Sequence, residues 1–270
     1  DADVSFDVQD SAAAIVSELA VSNSPIDAAD EFSVSFGVTD ISGAQSIQGH
    51  SGYNDGNSTY DISDSASAII NNSSNVYDNG VDDVFVTNPY VDALEGASLT
   101  SIANQKIATD GTTSEIQFRV VDDAQSIADV LIGSGVALNG ASEVEITGGT
   151  IDYNEAVAVQ NIVGYDTVDS SYNISDSAGA ILGASGDVLG YQGVQDVTAN
   201  DVNSAADALQ IENNPHVTEY NLAASFNDVT GVSVDEALAI VGTAGRSLGA
   251  NAFDASTVDI IDEISDIRTA

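Results

Sequence analysis

"YDISDSASAII" spans Tyr60 to Ile70 and "YNISDSAGAIL" spans Tyr172 to Leu182. Weaker copies begin at Phe6 ("FDVQDSAAAI") and Phe118 ("FRVVDDAQSI"), so successive copies start 54, 58 and 54 residues apart. Each has an aromatic residue, an aliphatic residue two positions on and an acid two positions further. That alternation puts the apolar side chains on one face of a short strand. The small and apolar residues that follow, such as Ala66, Ala68 and Ile69, suit a helix packed closely on a sheet. Asp10, Asp64, Asp122 and Asp176 then fall where a helix needs its first N–H groups satisfied. The phrase predicts strand, Asp cap, helix. A split fifth copy has its strand at Tyr220 ("YNL") and its cap at Asp235 ("DEALAI"), which implies an insertion of 11 residues.

A second, looser phrase lies between these copies: "FSVSFGVTDISGAQSI" from Phe32, "VFVTNPYVDALEGASLTSI" from Val84, "VEITGGTIDYNEAVAV" from Val144 and "VTANDVNSAADAL" from Val197. Each reads as an alternating strand, a polar turn and a small-residue helix. The chain is therefore expected to be α/β: a repetitive βαβα solenoid-like array, with a parallel sheet on one side and short helices on the other. Five units, at about 1–59, 60–117, 118–171, 172–219 and 220–270, would form one elongated domain spanning 1–270. "STVDIIDEISDI", from Ser256 to Ile267, spaces its aliphatic residues as an amphipathic helix would, closing the stack or meeting another chain.

Composition narrows function. The 43 acids face four Lys and Arg residues, a net charge of -39 that argues against nucleic acid and anionic lipid as partners. Only 11 of the acids are Glu, and Asp belongs in caps, turns and calcium loops more than in helix interiors. Acidity of this kind has two readings, carboxylates awaiting divalent cations or a surface adapted to high salt, and the repeated loops favour cations. Without Cys there is neither a disulfide nor a thiolate site, and without Met the chain is expected to be a processed product or part of something longer. No apolar stretch is long enough for membrane insertion.

The aromatic-x-[Ile/Val]-x-Asp-[Ser/Asp]-Ala-x-x-Ile phrase, followed by a second strand and an Ala-rich helix, resembles repeats of large secreted bacterial surface proteins. These are adhesin-like and S-layer-like chains associated with type I secretion and calcium-binding modules. The resemblance implies an extracellular location on the bacterial cell surface. The glycine-rich calcium nonapeptide of such proteins is missing, with "GGTID" at Gly148–Asp152 only its first fragment.

Calcium is the expected cofactor, and the candidate ligands are Asp55 and Asn57 in "NDGN", Asp78, Asp82 and Asp83 in "DNGVDD", Asp110 and Glu115 in "TDGTTSE", and the Asp122/Asp123 pair. Such turns can converge the several oxygens that a hard cation wants, although none follows the twelve-position EF-hand loop. No catalytic fingerprint is present, nothing places a Ser on a nucleophile elbow to serve His50 or His216, and an acid copied at each helix start reads as structure. The chain is not expected to be an enzyme.

The expected function is an extracellular structural protein that self-assembles into a filament or surface lattice, stabilised by calcium. Its partners would be copies of itself in a head-to-tail homopolymer, because an array with open ends must be capped or continued. The alternative is a calcium-dependent glycan-binding adhesin module for cell-surface polysaccharide, with Tyr53, Tyr77, Tyr90, Tyr165 and Tyr191 as stacking or packing residues.

Overall fold

A computed structural model describes residues 5–110, 116–134, 138–223, 226, 230–241, 247–248 and 259–260. The chain is α/β, with parallel strands flanked by helices, and it divides into two compact units.

In the first unit, β1 (Asp7–Ser11) pairs with β2 (Glu31–Phe36). Next in sequence are β3 (Val38–Thr39), β4 (Tyr60–Asp64), β5 (Val81–Val91) and β6 (Ile116–Asp122), joined in that spatial order and all parallel. Parallel neighbours require crossovers. These are α1 (Ala12–Leu19), α2 (Ile41–Gln48), the short pair α3 (Ala66–Asn71) and α4 (Ser73–Val76), and α5 (Ala93–Asp110).

The second unit holds α6 (Ala124–Asp129), most of β7 (Glu143–Ile151), α7 (Tyr153–Gln160), β8 (Ser171–Ser177), α8 (Ala178–Gly183), α9 (Gly186–Leu189), β9 (Val194–Val202), α10 (Ala205–Glu212) and β10 (Glu219–Leu222). β11 (Thr230–Val232), α11 (Val234–Val241), β12 (Ser247–Leu248) and β13 (Asp259–Ile260) complete it. Its sheet runs β7-β8-β9-β10-β12, while β11 pairs separately with β13.

The alternation read from the sequence governs burial. Tyr60 and Ile62 are buried while Asp61 between them and Ser63 after them are not, and Tyr172 and Ile174 repeat the pattern around Asn173. Helices bury residues three apart, such as Ala12 with Ile15, Ala66 with Ile69 and Ala178 with Ile181. The alanines allow close approach to the sheet, and each buried Ile contributes about 1.5–3 kcal/mol.

The same contacts recur 112 residues apart, one set in each unit. Gln48 Nε2 donates to the Tyr60 hydroxyl at 2.7 Å, and Gln160 Nε2 to that of Tyr172 at 2.6 Å. Val34 N–H donates to Ser58 Oγ at 3.0 Å, and Ile146 N–H to Ser170 Oγ at 3.0 Å. Gly37 (φ +106°) and Gly149 (φ +95°) lie against the first residues of α1 and α6, where a Cβ would come within 3.5 Å of the Ala12 nitrogen and 3.2 Å of the Ala124 nitrogen.

Two expectations are corrected. The N-caps are not Asp10, Asp64, Asp122, Asp176 and Asp235 but the residues after the first four, and Ser233 before α11. Ser11, Ser65 and Ser177 accept from the N–H three residues on with their hydroxyls, Asp123 does so with its carboxylate, and Ser233 Oγ accepts from Glu236 N–H. The acceptor must lie one residue before the first helical residue to reach that N–H, and the Asp lies one position too early. Asp235 falls inside the first turn of α11.

The second correction concerns the C-terminal segment. Asp259–Ile260 is a strand in parallel register with β11, not part of a helix, because its backbone pairs with Thr230–Val232. The rest of Ser256–Ile267 lies outside the described residues. The expected insertion is seen in part: β11 occupies some of the extra length between β10 and α11.

Candidate metal centre

Asp64, Asp122 and Asp176 hold helix N-termini other than their own. Asp64 Oδ2 accepts the N–H of Ile41 at 3.1 Å, Asp122 Oδ2 that of Ala93 at 3.0 Å and Asp176 Oδ2 that of Tyr153 at 3.2 Å. Each is the first residue of the helix preceding that strand. Those helices also have their own Asp caps, Asp40, Asp92 and Asp152. Two carboxylates thus face the positive end of each helix dipole.

Carboxylates converge at one place among the described residues. Asp61, Asp82 and Asp83 each offer an oxygen, and the three lie within 4.8 Å of one another. A register shift produces this: Tyr60 pairs with Val81 but Ile62 pairs with Val84, so Asp82 and Asp83 both stand opposite Asp61. Asp61 Oδ1 also accepts the N–H of Asp83 at 3.1 Å. Oxygens bound to one calcium ion at 2.3–2.6 Å can be no more than about 5 Å apart, so the spacing fits a shared hard cation. Asp82 is exposed and the other two half-buried, leaving room for further oxygen ligands.

The second unit repeats this backbone with other side chains. Tyr172 pairs with Val194 and Ile174 with Val197, and Asp196 N–H donates to Asn173 Oδ1 at 3.2 Å. Asn173 and Gln195 stand where Asp61 and Asp82 stand. The register shift therefore forms without three carboxylates, and among the described residues the cluster belongs to the first unit alone.

The other expected ligands are placed differently. Asp78 Oδ1 accepts from the Tyr53 hydroxyl at 2.7 Å and from Gly80 N–H at 2.9 Å. Asp55 Oδ2 accepts from Asn79 Nδ2 at 3.1 Å, and Asn57 donates its N–H to Asn54 Oδ1 at 3.1 Å. Asp123 accepts the N–H and hydroxyl of Ser126 at 3.0 and 2.8 Å, and that N–H, then the hydroxyl, holds its carboxyl below the usual range. The Asp110 side chain and Glu115 lie outside the described residues. Asp61, absent from the expected ligands, was detectable only through its pairing with β5.

The tyrosines mostly pack. Tyr53 tilts on Phe32 with centroids 5.8 Å apart, and Tyr165 on Tyr191 at 5.6 Å. Burial, then the neighbouring Tyr60, raises the Tyr53 phenol, and burial pushes Tyr60 itself up to about 12. Tyr90 differs, being 53% exposed with Arg119 5.5 Å from its ring centroid. Arg119 also forms an ion pair with Glu143. His50 packs edge-on against Phe32 and lies 3.5 Å from Asp27.

Fold and site together define a class: an α/β protein of parallel strands and flanking helices, with a carboxylate cluster between two strands of its first unit. The chain matches no protein-family model and no curated protein. No described helix is long and apolar enough to cross a membrane.

Proposed function

We propose that this chain is an extracellular structural protein of a bacterial surface, a solenoid-like βαβα array that self-assembles into a filament or lattice and binds calcium through its carboxylates. The observation that carries this reading is the repetition of one set of interlocking contacts 112 residues apart, typified by Gln48 with Tyr60 and Gln160 with Tyr172. Repeated units that bury their faces on one another can be extended by further units without new chemistry. Calcium on Asp61, Asp82 and Asp83 would offset repulsion in a chain of net charge -39.

Electron microscopy of the purified chain with calcium and after chelation tests the proposal. Ordered assemblies that dissolve on chelation are the expected result, and monomers in both conditions would refute it.

One observation favours glycan binding as a second reading. Tyr90 presents an exposed ring beside Arg119, whose Nη1 donates to its hydroxyl at 3.2 Å. Saturable binding on a glycan array, lost in Tyr90→Ala, would favour the adhesin reading.

A further inference from the structure

The first copy of the repeated phrase presents to solvent what the other copies bury. Phe6 is 36% exposed, whereas its counterparts Tyr60, Phe118 and Tyr172 are 1% exposed and Tyr220 is 0% exposed. Val8 is half-buried where Ile62 and Ile174 are fully buried. β1 pairs with β2 on one side, and its other edge has no strand beside it among the described residues.

Asp10 follows the same logic. Its Oδ1 accepts the N–H of Ser11 at 2.7 Å, as Asp64 and Asp176 do with Ser65 and Ser177 at 2.7 and 2.6 Å. In the interior copies Oδ2 accepts the N–H that opens the preceding helix. Asp10 Oδ2 has no partner among the described residues. Strand edge, apolar face and acceptor are thus all present, in the arrangement that elsewhere receives a preceding strand and helix. In the second unit, β12 is a terminal strand, paired with β10 alone among the described residues and parallel to it.

We propose that β1 is the acceptor end of a head-to-tail contact, in which its open edge takes the β12 edge of a second copy as a parallel strand and Asp10 accepts a backbone N–H from that copy. This rests on the self-assembly reading above and names the surface through which it works. A second copy is the occupant because the interior interfaces, made between repeats of this same chain, define the chemistry that the edge accepts. Because both copies are acidic, the contact tightens with salt or calcium.

Sedimentation of the full chain in calcium over a wide concentration range, with hydrogen exchange on the resulting species, tests the contact. The wild type should associate with rising concentration, and the amides of residues 7–11 not already bonded to β2 or to Asp10 should slow about tenfold in the associated species. Asp10→Asn keeps an acceptor for Ser11 but turns the outward oxygen into a donor, and it should weaken association about tenfold. Asp187→Asn, with the same charge change at an exposed site, should associate like wild type. Association with those outward β1 amides still exchanging fast, or undiminished in Asp10→Asn, overturns the contact while leaving self-assembly standing. Slow exchange of those outward amides in the monomer would mean that the chain covers its own edge, which also overturns it. A wild type monomeric at every concentration refutes the self-assembly reading itself.

Discussion

Asp64 closes the N-terminus of a helix 23 residues before it, its Oδ2 accepting the Ile41 N–H at 3.1 Å while Oδ1 holds Ser65 N–H at 2.7 Å. One carboxylate thus ties the end of β4 to the start of α2 and to its own chain. Asp64→Ala should destabilise the protein by about 1–2 kcal/mol, and Asp176→Ala, which loses the matching bond to Tyr153, by a similar amount. Asp10→Ala, with no helix to hold, should cost less than half of that in the monomer. Urea unfolding of the three variants checks the order.

Gly37 and Gly149 occupy positive φ against the start of a neighbouring helix. Gly149→Ala should cost about 1–2 kcal/mol from backbone strain, plus the shift needed to relieve its 3.2 Å approach to the Ala124 nitrogen. Gly179→Ala, in helix α8 with open space around it, should be neutral or stabilising. Thermal melts of both variants compare the two sites directly.

Thr100 occupies the helix position that Gln48 and Gln160 occupy in α2 and α7, but Phe118 replaces the tyrosine opposite it. Its hydroxyl is buried and has no hydrogen-bond partner among the described residues. Thr100→Val should therefore be neutral or stabilising by up to about 1 kcal/mol, the reverse of the usual result for a buried threonine. Equilibrium unfolding decides it.

Calcium titration by calorimetry should detect a site abolished or weakened at least tenfold by Asp61→Asn, and untouched by Asp196→Asn in the second unit. At calcium a hundredfold above the dissociation constant, the ion should add about 2.7 kcal/mol of stability, which chelation removes. No difference in binding between the two variants would count against the Asp61 cluster as the site.

Tyr60 ionises at about 12 in the folded protein because burial outweighs the opposing Gln48 hydrogen bond. Its folded value lies above the unfolded value near 10, so its contribution is intact below about pH 10 and is lost as pH rises towards 12. Tyr53, Tyr165 and Tyr172 are shifted in the same direction, chiefly by burial. Stability should fall steeply above about pH 10, with tyrosinate absorbance appearing together with unfolding instead of before it. Early titration of the tyrosines with the fold intact would contradict this.

The sequence by itself determined the local elements. Aromatic and aliphatic residues two apart can bury together only on a strand face, and alanines beside isoleucines at three-residue spacing can bury together only on a helix. Strand and helix therefore recur where the phrases recur. The sequence also carried the polar turns and the excess of Asp, but not the use of each carboxylate. Tertiary structure alone decided that Asp64 and Asp176 reach a helix from the previous phrase, because a hydrogen-bond partner 23 residues away depends on which strands lie side by side. It also decided the Asp61 cluster, because a register shift of one residue between β4 and β5 sets two consecutive acids opposite a third. Periodicity fixes which face a side chain takes. What stands across from it follows from pairing register, which many distant contacts set together.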